Sequence, residues 1–348
     1  MNNPLWSKYF QEYPFSTIQD FIKYLYQSTL GSAHFITDPS ENFEAFINEY
    51  HSIDHDDQHV LYEPLNEDFG RIHLEALNEQ HLKIIHQWIL KSVSVTSSKD
   101  SLIQCFNKVE KGILEGWIPF SLESWQTEIK NYQQNGCPAV SHSQIFKQHY
   151  HPHYRIIKKE YIPLMHIMQQ IDELPPYSII AIEGQSGSGK SSLANMLHEI
   201  YNYPIIHMDD FFLQKHQRTL ERLNEVGGNI DYERFYQEVI TPINQHQSFD
   251  YSIFDCQSMS IQGQRHIHFD SQIIVEGSYS LHPFFQDYAS FSIFLSLPFE
   301  LQKQRIKKRN GDKMLERFIH EWIPKENQYF QYFDIEKKAD MIIKNDSL

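Results

Sequence analysis

An apolar run, Ser178-Ile-Ile-Ala-Ile182, leads into Gly184-Gln185-Ser186-Gly187-Ser188-Gly189-Lys190-Ser191 and then into the amphipathic stretch from Ser192 to Ile200. Nothing else in the chain restricts the fold as much, because these residues require a buried strand, a tight glycine-rich turn and a helix in that order. The residue types carry the chemistry. The glycines let the backbone curl so that its N–H groups converge on phosphate oxygens, and the helix opening at Lys190 adds the positive end of its dipole. Lys190 is placed to reach the β- and γ-phosphates and the Ser191 hydroxyl to hold Mg²⁺, with Gly184 to Ser192 as the nucleotide-binding segment. The pattern points to a chain that binds a nucleoside triphosphate.

From Ser178 onward, apolar strand candidates at 179–182, 204–208, 272–275, 291–297 and 341–344 alternate with helix candidates at 191–201, 231–247, 299–309 and 313–330. Short strands buried on both faces and joined by helices predict an α/β fold, a P-loop NTPase-type parallel sheet flanked by helices. Ligands of such sheets sit at the carboxyl ends of the strands, where Gly184, Asp209 and Glu276 all fall.

The earlier part reads as a separate, mostly helical α+β domain. Ser16 and Gln19 form a capping-box pattern before a helix that stops at Gly31; Asp38-Pro39-Ser-Glu41 repeats the device, with Asp38 as the cap. Short strands are expected at 60–62 and 71–74, helices at 78–93, 101–114, 121–134 and 158–171, and an irregular tail at 141–154. Residues 1–155 are then an N-terminal domain, 156–176 a connecting helix and linker ending in Leu174-Pro-Pro176, and 177–348 the phosphate-loop domain.

Two further strand ends carry acids. Ile205-Ile-His-Met-Asp209-Asp210-Phe-Phe212 puts a carboxylate across from the phosphate loop, where an acceptor hydroxyl would need a base. The other aspartate of the pair, or both, would cap the following segment instead. Ile273-Ile-Val-Glu276-Gly277 supplies an acid to organise Mg²⁺ beside Ser191.

These elements together resemble the uridine kinase family and its relatives, the phosphoribulokinases, bacterial pantothenate kinases and nicotinamide riboside kinases. The likeness rests on the phosphate loop, Asp209-Asp210-Phe211-Phe212, Glu276-Gly277, Asn229-Ile-Asp231-Tyr-Glu-Arg-Phe235 and the basic segment Gln304-Arg305-Ile-Lys-Lys308-Arg309, and runs from about Tyr177 onward. It implies ATP and Mg²⁺ as cofactors, Asp209 as the base, Asp231 as a ligand of sugar hydroxyls, and Phe212 and Asp255 beside the acceptor. Glu276 becomes a magnesium-site residue, and Arg305 and Arg309, four apart on one helix face, become phosphate clamps. Where uridine kinases place a histidine that reads the base, this chain has Cys256-Gln-Ser-Met259, so pantothenate, nicotinamide riboside or another alcohol stays open as acceptor.

The formal charge of −15 excludes a general nucleic-acid binder, which needs a basic face. No apolar run approaches a membrane span, and Met1 to Phe10 lacks the apolar core of a signal peptide. Cys105, Cys137 and Cys256 form neither a zinc spacing nor a disulfide framework, so a cytoplasmic setting is expected. His149-x-His151-x-His153 would put three rings on one face if it were a strand, although Pro152 opposes regular pairing. Arg218 and Arg222 read equally as acceptor ligands and as a solvated helix face. The expected activity is transfer of the γ-phosphoryl group of ATP to a hydroxyl of a nucleoside-like small molecule. The rival is a nucleotide-gated regulator that has no acceptor chemistry. Self-association and the role of residues 1–155 are left open.

Overall fold

The computed structural model describes residues 4–32, 39–55, 60–94 and 98–345. The chain divides into two compact units, Met1–Met165 and His166–Leu348, with the division inside the helix Ile162–Asp172.

In the first unit, the strands β1 (Tyr62–Pro64), β2 (Phe69–His73) and β3 (Tyr154–Lys158) form an antiparallel sheet in the order β1-β2-β3. The strand pair expected at 60–62 and 71–74 is present but shifted, the first strand running later and the second starting already at Phe69. The tail at 141–154 is not irregular throughout: it holds the helix Gln144–Tyr150 and opens β3, whose residues 156–158 were expected in the connector. The capping box falls one residue later than Ser16 and Gln19 suggested. Thr17 accepts from the Asp20 N–H and Asp20 accepts from the Thr17 N–H, because aspartate reaches back as well as glutamine and Ser16 is engaged with the Tyr13 carbonyl. Asp38 lies outside the described residues.

Helices pack an aromatic core that includes Trp6, Tyr9, Phe21, Tyr24 and Trp125. Within it Arg71 is fully buried, its guanidinium 4.5 to 6.0 Å from the rings of Tyr9, Tyr13, Tyr24 and Tyr154. Cation–π attraction replaces part of the lost hydration, and Glu63, 3.3 Å away, supplies the countercharge.

The second unit holds the remaining strands: β4 (Ile179–Gly184), β5 (Ile205–His207), β6 (Phe249–Asp255), β7 (Ser260–Ile267), β8 (Ile273–Glu276), β9 (Phe291–Ser296) and β10 (Met341–Lys344). Five of them form a parallel sheet in the order β10-β9-β4-β8-β5, all drawn from the apolar runs. β4 lies at its centre, buried along its whole length. The antiparallel hairpin β6–β7 was not expected, because β7 is polar and largely exposed and has no apolar run to reveal it. The helical stretches 232–244 and 312–332 each contain a wide π turn, Tyr236–Ile240 and Phe318–Trp322, and a proline follows each, Pro242 and Pro324. A proline has no N–H to donate and crowds the carbonyl four residues back, and a wider turn relieves that clash. Among the described residues no helix is long and apolar enough to cross a membrane.

Burial is the largest single influence on Glu63 and raises its pKa, but the Arg71 charge and the hydrogen bonds from His73 and Tyr13 together outweigh it and bring the carboxyl down to about 2. A depressed carboxyl stabilises the fold above its unfolded value, near 4.5, and that contribution is lost as pH falls toward 2. Glu63→Gln leaves the Arg71 charge buried without its countercharge and is expected to cost about 3 kcal/mol. Urea melts at pH 7 check this: an unchanged midpoint would show that the tyrosine rings alone suffice.

Candidate active site

Strand ends β4, β5 and β8 deliver their residues to one edge of the sheet. At the end of β4, Gly184 has φ +141°, and a Cβ there would stand 2.2 Å from the Leu295 carbonyl oxygen on β9. Only glycine lets the loop leave so close to its neighbour strand. Gly277, at the end of β8, meets the same constraint against Met208.

Lys190 opens the helix Lys190–Tyr201, and its ammonium donates to the Gly184 carbonyl at 2.7 Å, the Gln185 carbonyl at 3.1 Å and Ser278 Oγ at 3.3 Å. Ser191 Oγ donates to both carboxylate oxygens of Glu276, at 3.1 and 3.2 Å. Sheet register sets Glu276 beside Ile182 on one side and His207 on the other. His207 Nδ1 lies 2.6 Å from Glu276, and that bond raises the imidazole pKa. Ser186 donates to Glu326 from its N–H at 3.0 Å and from Oγ at 2.5 Å, and Gln185 Oε1 accepts from the Leu297 N–H. Ser192 stands exposed in the first helical turn.

Two features fit a nucleotide and its metal. The Ser188 hydroxyl is buried in the loop with no hydrogen-bond partner among the described residues, a donor that an oxyanion would satisfy. Ser191 and Glu276 offer hard oxygen ligands, and no cluster of three or more His, Cys, Asp or Glu suited to a metal occurs among the described residues. So sparse a set suits Mg²⁺, which keeps waters and takes phosphate oxygens.

The two aspartates after β5 differ sharply. Asp210 accepts from Tyr251 at 2.9 Å and faces Arg265 at 3.6 Å. Among the described residues nothing hydrogen-bonds or ion-pairs with the Asp209 carboxylate. Asp209 is an exposed residue whose carboxylate is nonetheless partly desolvated by the protein around it. Desolvation there, and next the Glu276 charge, raise its pKa against the pull of Lys190.

The other expected residues are scattered. Asp231 is buried, caps the helix Tyr232–Phe235 and is held by Gln217 at 2.8 Å and Arg234 at 3.5 Å. Phe212 bridges to Ile230 and packs edge-on against Phe254. Asp255 accepts from the N–H groups of Gln257 and Ser258 in the hairpin turn. The helix Phe299–Asn310 lies against the loop: Gln302 donates to the Ser186 carbonyl and the Arg305 Cβ lies 3.8 Å from where a Gly187 Cβ would be. Arg309 is exposed and bonded to Asn310. Arg222 stacks on Tyr232 and pairs with Glu233, which makes it a structural brace. His149 is helical and stacks on Phe15, whereas His153 bonds Glu49, so the three histidines share no strand face.

Glu183, His207, Ser278 and Glu326 were not singled out from sequence. Glu183 adjoins Gly184, and His207 and Ser278 each lie two residues from an acid already chosen; a period of two along the strand would have found them. Glu326 gives no sequence signal, since it reaches Ser186 and Ser278 only through folding.

Residues 179–344 match the family described as the cytidylate kinase-like family. The C-terminal unit has a kinase-like phosphate-loop fold. Similar solved structures include a protein from Bacillus stearothermophilus described as a possible uridine kinase, 18% identical over 51% of this chain and 95% of that one, with a TM-score of 0.42. Another, from a Silicibacter species, is described as a candidate fructose transport system kinase, 22% identical over 51% of this chain and 95% of that one, TM-score 0.41. No curated protein matches the chain.

Glu183 is wholly buried, and burial pushes its carboxyl up to about 7 against the pull of Lys190 and of the Gly184 N–H. It accepts from the N–H groups of Gly184, Tyr279 and Leu281 and from the Tyr329 hydroxyl. In Glu183→Gln, the amide nitrogen would face two of those donors, and each bond lost in a buried site costs about 1–3 kcal/mol. Thermal melts are expected to show clear destabilisation; wild-type stability would mean that these four bonds do not hold the loop.

Proposed function

We propose that the C-terminal unit is an ATP-dependent phosphotransferase that moves the γ-phosphoryl group to a hydroxyl of a nucleoside-like small molecule. The carrying observation is the Asp209 carboxylate, unengaged by the protein at the edge where Lys190, Ser191 and Glu276 meet. Its neighbour of the same charge and type, Asp210, is instead engaged by Tyr251 and Arg265. A phosphate acceptor is already ionised and needs no base, whereas a hydroxyl gives up a proton. Asp209 therefore favours a hydroxyl acceptor over the nucleotide phosphate that the words cytidylate kinase would suggest.

Lys190 and the loop N–H groups would bind the β- and γ-phosphates, and Ser191 and Glu276 would hold Mg²⁺, which when bound spreads the phosphate charge. Asp209 orients the acceptor hydroxyl and takes its proton. Arg305, beside the loop, is the better placed of the two arginines to neutralise developing charge, since Arg309 is turned to Asn310. Asp231, Phe212 and Asp255 would shape the acceptor side; the caps that Asp231 and Asp255 already form make them positioning residues on this reading. A small-molecule partner suits the charge of −15, and three free cysteines suit a cytoplasmic setting.

Lys190→Ala is expected to abolish transfer, and near-normal turnover in that variant would remove the loop from the reaction. Asp209→Asn keeps size and shape but loses the base. It is expected to bind an ATP analogue normally, by calorimetry, while transfer falls about a hundred- to ten-thousand-fold. Asp210→Asn should do less. If neither change slows acceptor-dependent ATP turnover, neither aspartate is the base; ATP turnover in the wild type that no acceptor stimulates would put the regulator reading in place of this one.

A further inference from the structure

The first unit contains a cavity of about 410 Å³, within the range of small-molecule sites. Three cations from three elements line it: Lys23 from the helix Ile18–Leu30, Lys147 from the helix Gln144–Tyr150 and Arg155 from β3. The only acid in the lining is Glu49, which pairs with Arg155 at 2.6 Å and with His153 at 3.0 Å. Two positive charges are thus left unmatched at the wall. In a chain with 45 acidic and 30 basic residues, random surface would put more acids than bases around any hollow.

Neighbouring groups do not absorb these charges. Lys23 donates to the Val140 carbonyl at 3.2 Å, which uses one of its three N–H groups. Among the described residues Lys147 has no ion-pair partner. Asp20 stands behind the wall with its oxygens taken by Thr17, Ser143 and His142, and its charge offsets that of Lys23 only in part. Burial and then the charges of Arg71, Lys147 and Arg155 lower the Lys23 pKa to about 8, outweighing Asp20. Like charges gathered in this way repel one another and cost stability until an anion joins them.

The wall is also ordered in advance. His142 is hydrogen-bonded to Asp20 at 2.9 Å and to the Tyr154 hydroxyl at 2.6 Å, and Tyr154 lies 3.1 Å from Gln27. His142 and Gln27 are almost fully buried, so this side of the cavity is fixed before any ligand arrives.

We propose that this cavity binds a small phosphate monoester, with Lys23, Lys147 and Arg155 around the phosphate. Cationic groups on three separate elements, with Arg155 held by Glu49 and the Tyr154 carbonyl, suit a tetrahedral dianion better than a planar carboxylate. The site is independent of the phosphate loop and of the reading given to it. It gives the first unit, which lies outside the family match at 179–344, a ligand-binding role of its own.

The test is calorimetric titration of the full-length chain with ribose 5-phosphate, inorganic phosphate and citrate. It is run in wild type, Lys190→Ala and Lys23→Ala/Lys147→Ala. Saturable one-to-one binding of ribose 5-phosphate is expected in wild type and in Lys190→Ala, and at least tenfold weaker binding in the double variant, whose binding of an ATP analogue stays normal. Should the double variant fail to fold, Lys147→Ala alone, on an exposed helical position, is expected to weaken binding at least threefold. Binding that disappears with Lys190→Ala belongs to the phosphate loop and overturns the proposal. Absent binding, binding that ignores Lys23 and Lys147, or citrate binding as tight as that of the phosphate ester overturns it as well.

Discussion

A single buried carboxylate ties the loop-bearing edge of the C-terminal unit together. Glu183 is the penultimate residue of the central strand, and its two oxygens take donors from Gly184, Tyr279, Leu281 and Tyr329. It thereby joins the start of the phosphate loop to the turn after β8 and to the helix Ile323–Tyr332. The cost of burying an acid is met by four hydrogen bonds rather than by a salt bridge. The turn it holds is strained: Tyr279 has φ 76°, a conformation that a bulky side chain adopts only when its surroundings impose it.

Around that brace, the loop spends its donors on protein groups. Lys190 bonds two loop carbonyls and Ser278, while Ser186 and Ser278 both bond Glu326. These contacts keep the curl of the backbone in place and its side chains ordered. On the proposed reading, a nucleotide exchanges these partners for phosphate oxygens without having to build the loop, so little of its binding energy goes into ordering. Ser191, Glu276 and His207 form a second short row fixed by sheet register. Asp209 stands apart from both networks, which on the proposed reading leaves it to the acceptor.

The first unit solves a different problem with the same physics. Arg71 is enclosed by four tyrosine rings and one glutamate, a cationic centre in an aromatic core. Its charge extends to Lys23 and adds to the field of the basic cavity. The electropositive hollow and the buried arginine are therefore parts of one electrostatic arrangement, set by where β2 and β3 carry Arg71 and Arg155.

The sequence by itself determined the five strands of the parallel sheet after Ser178 and the phosphate loop that follows the first of them. Each rests on local patterns: apolar runs of strand length, glycines at fixed offsets, and Lys-Ser at a helix start. It also pointed to Asp209, because a carboxylate just past a buried strand has one edge of the sheet to face. Only the tertiary structure showed that the adjacent aspartates differ in their partners, since Asp210 meets Tyr251 and Arg265, more than forty residues downstream. The same holds for Glu326 on Ser186, for Arg309 turned away from the loop, for the polar hairpin β6–β7 and for the cavity assembled from Lys23, Lys147 and Arg155. Local patterns fix backbone conformation and burial, whereas the partner of a polar side chain depends on long-range register and packing, which no short window of sequence contains.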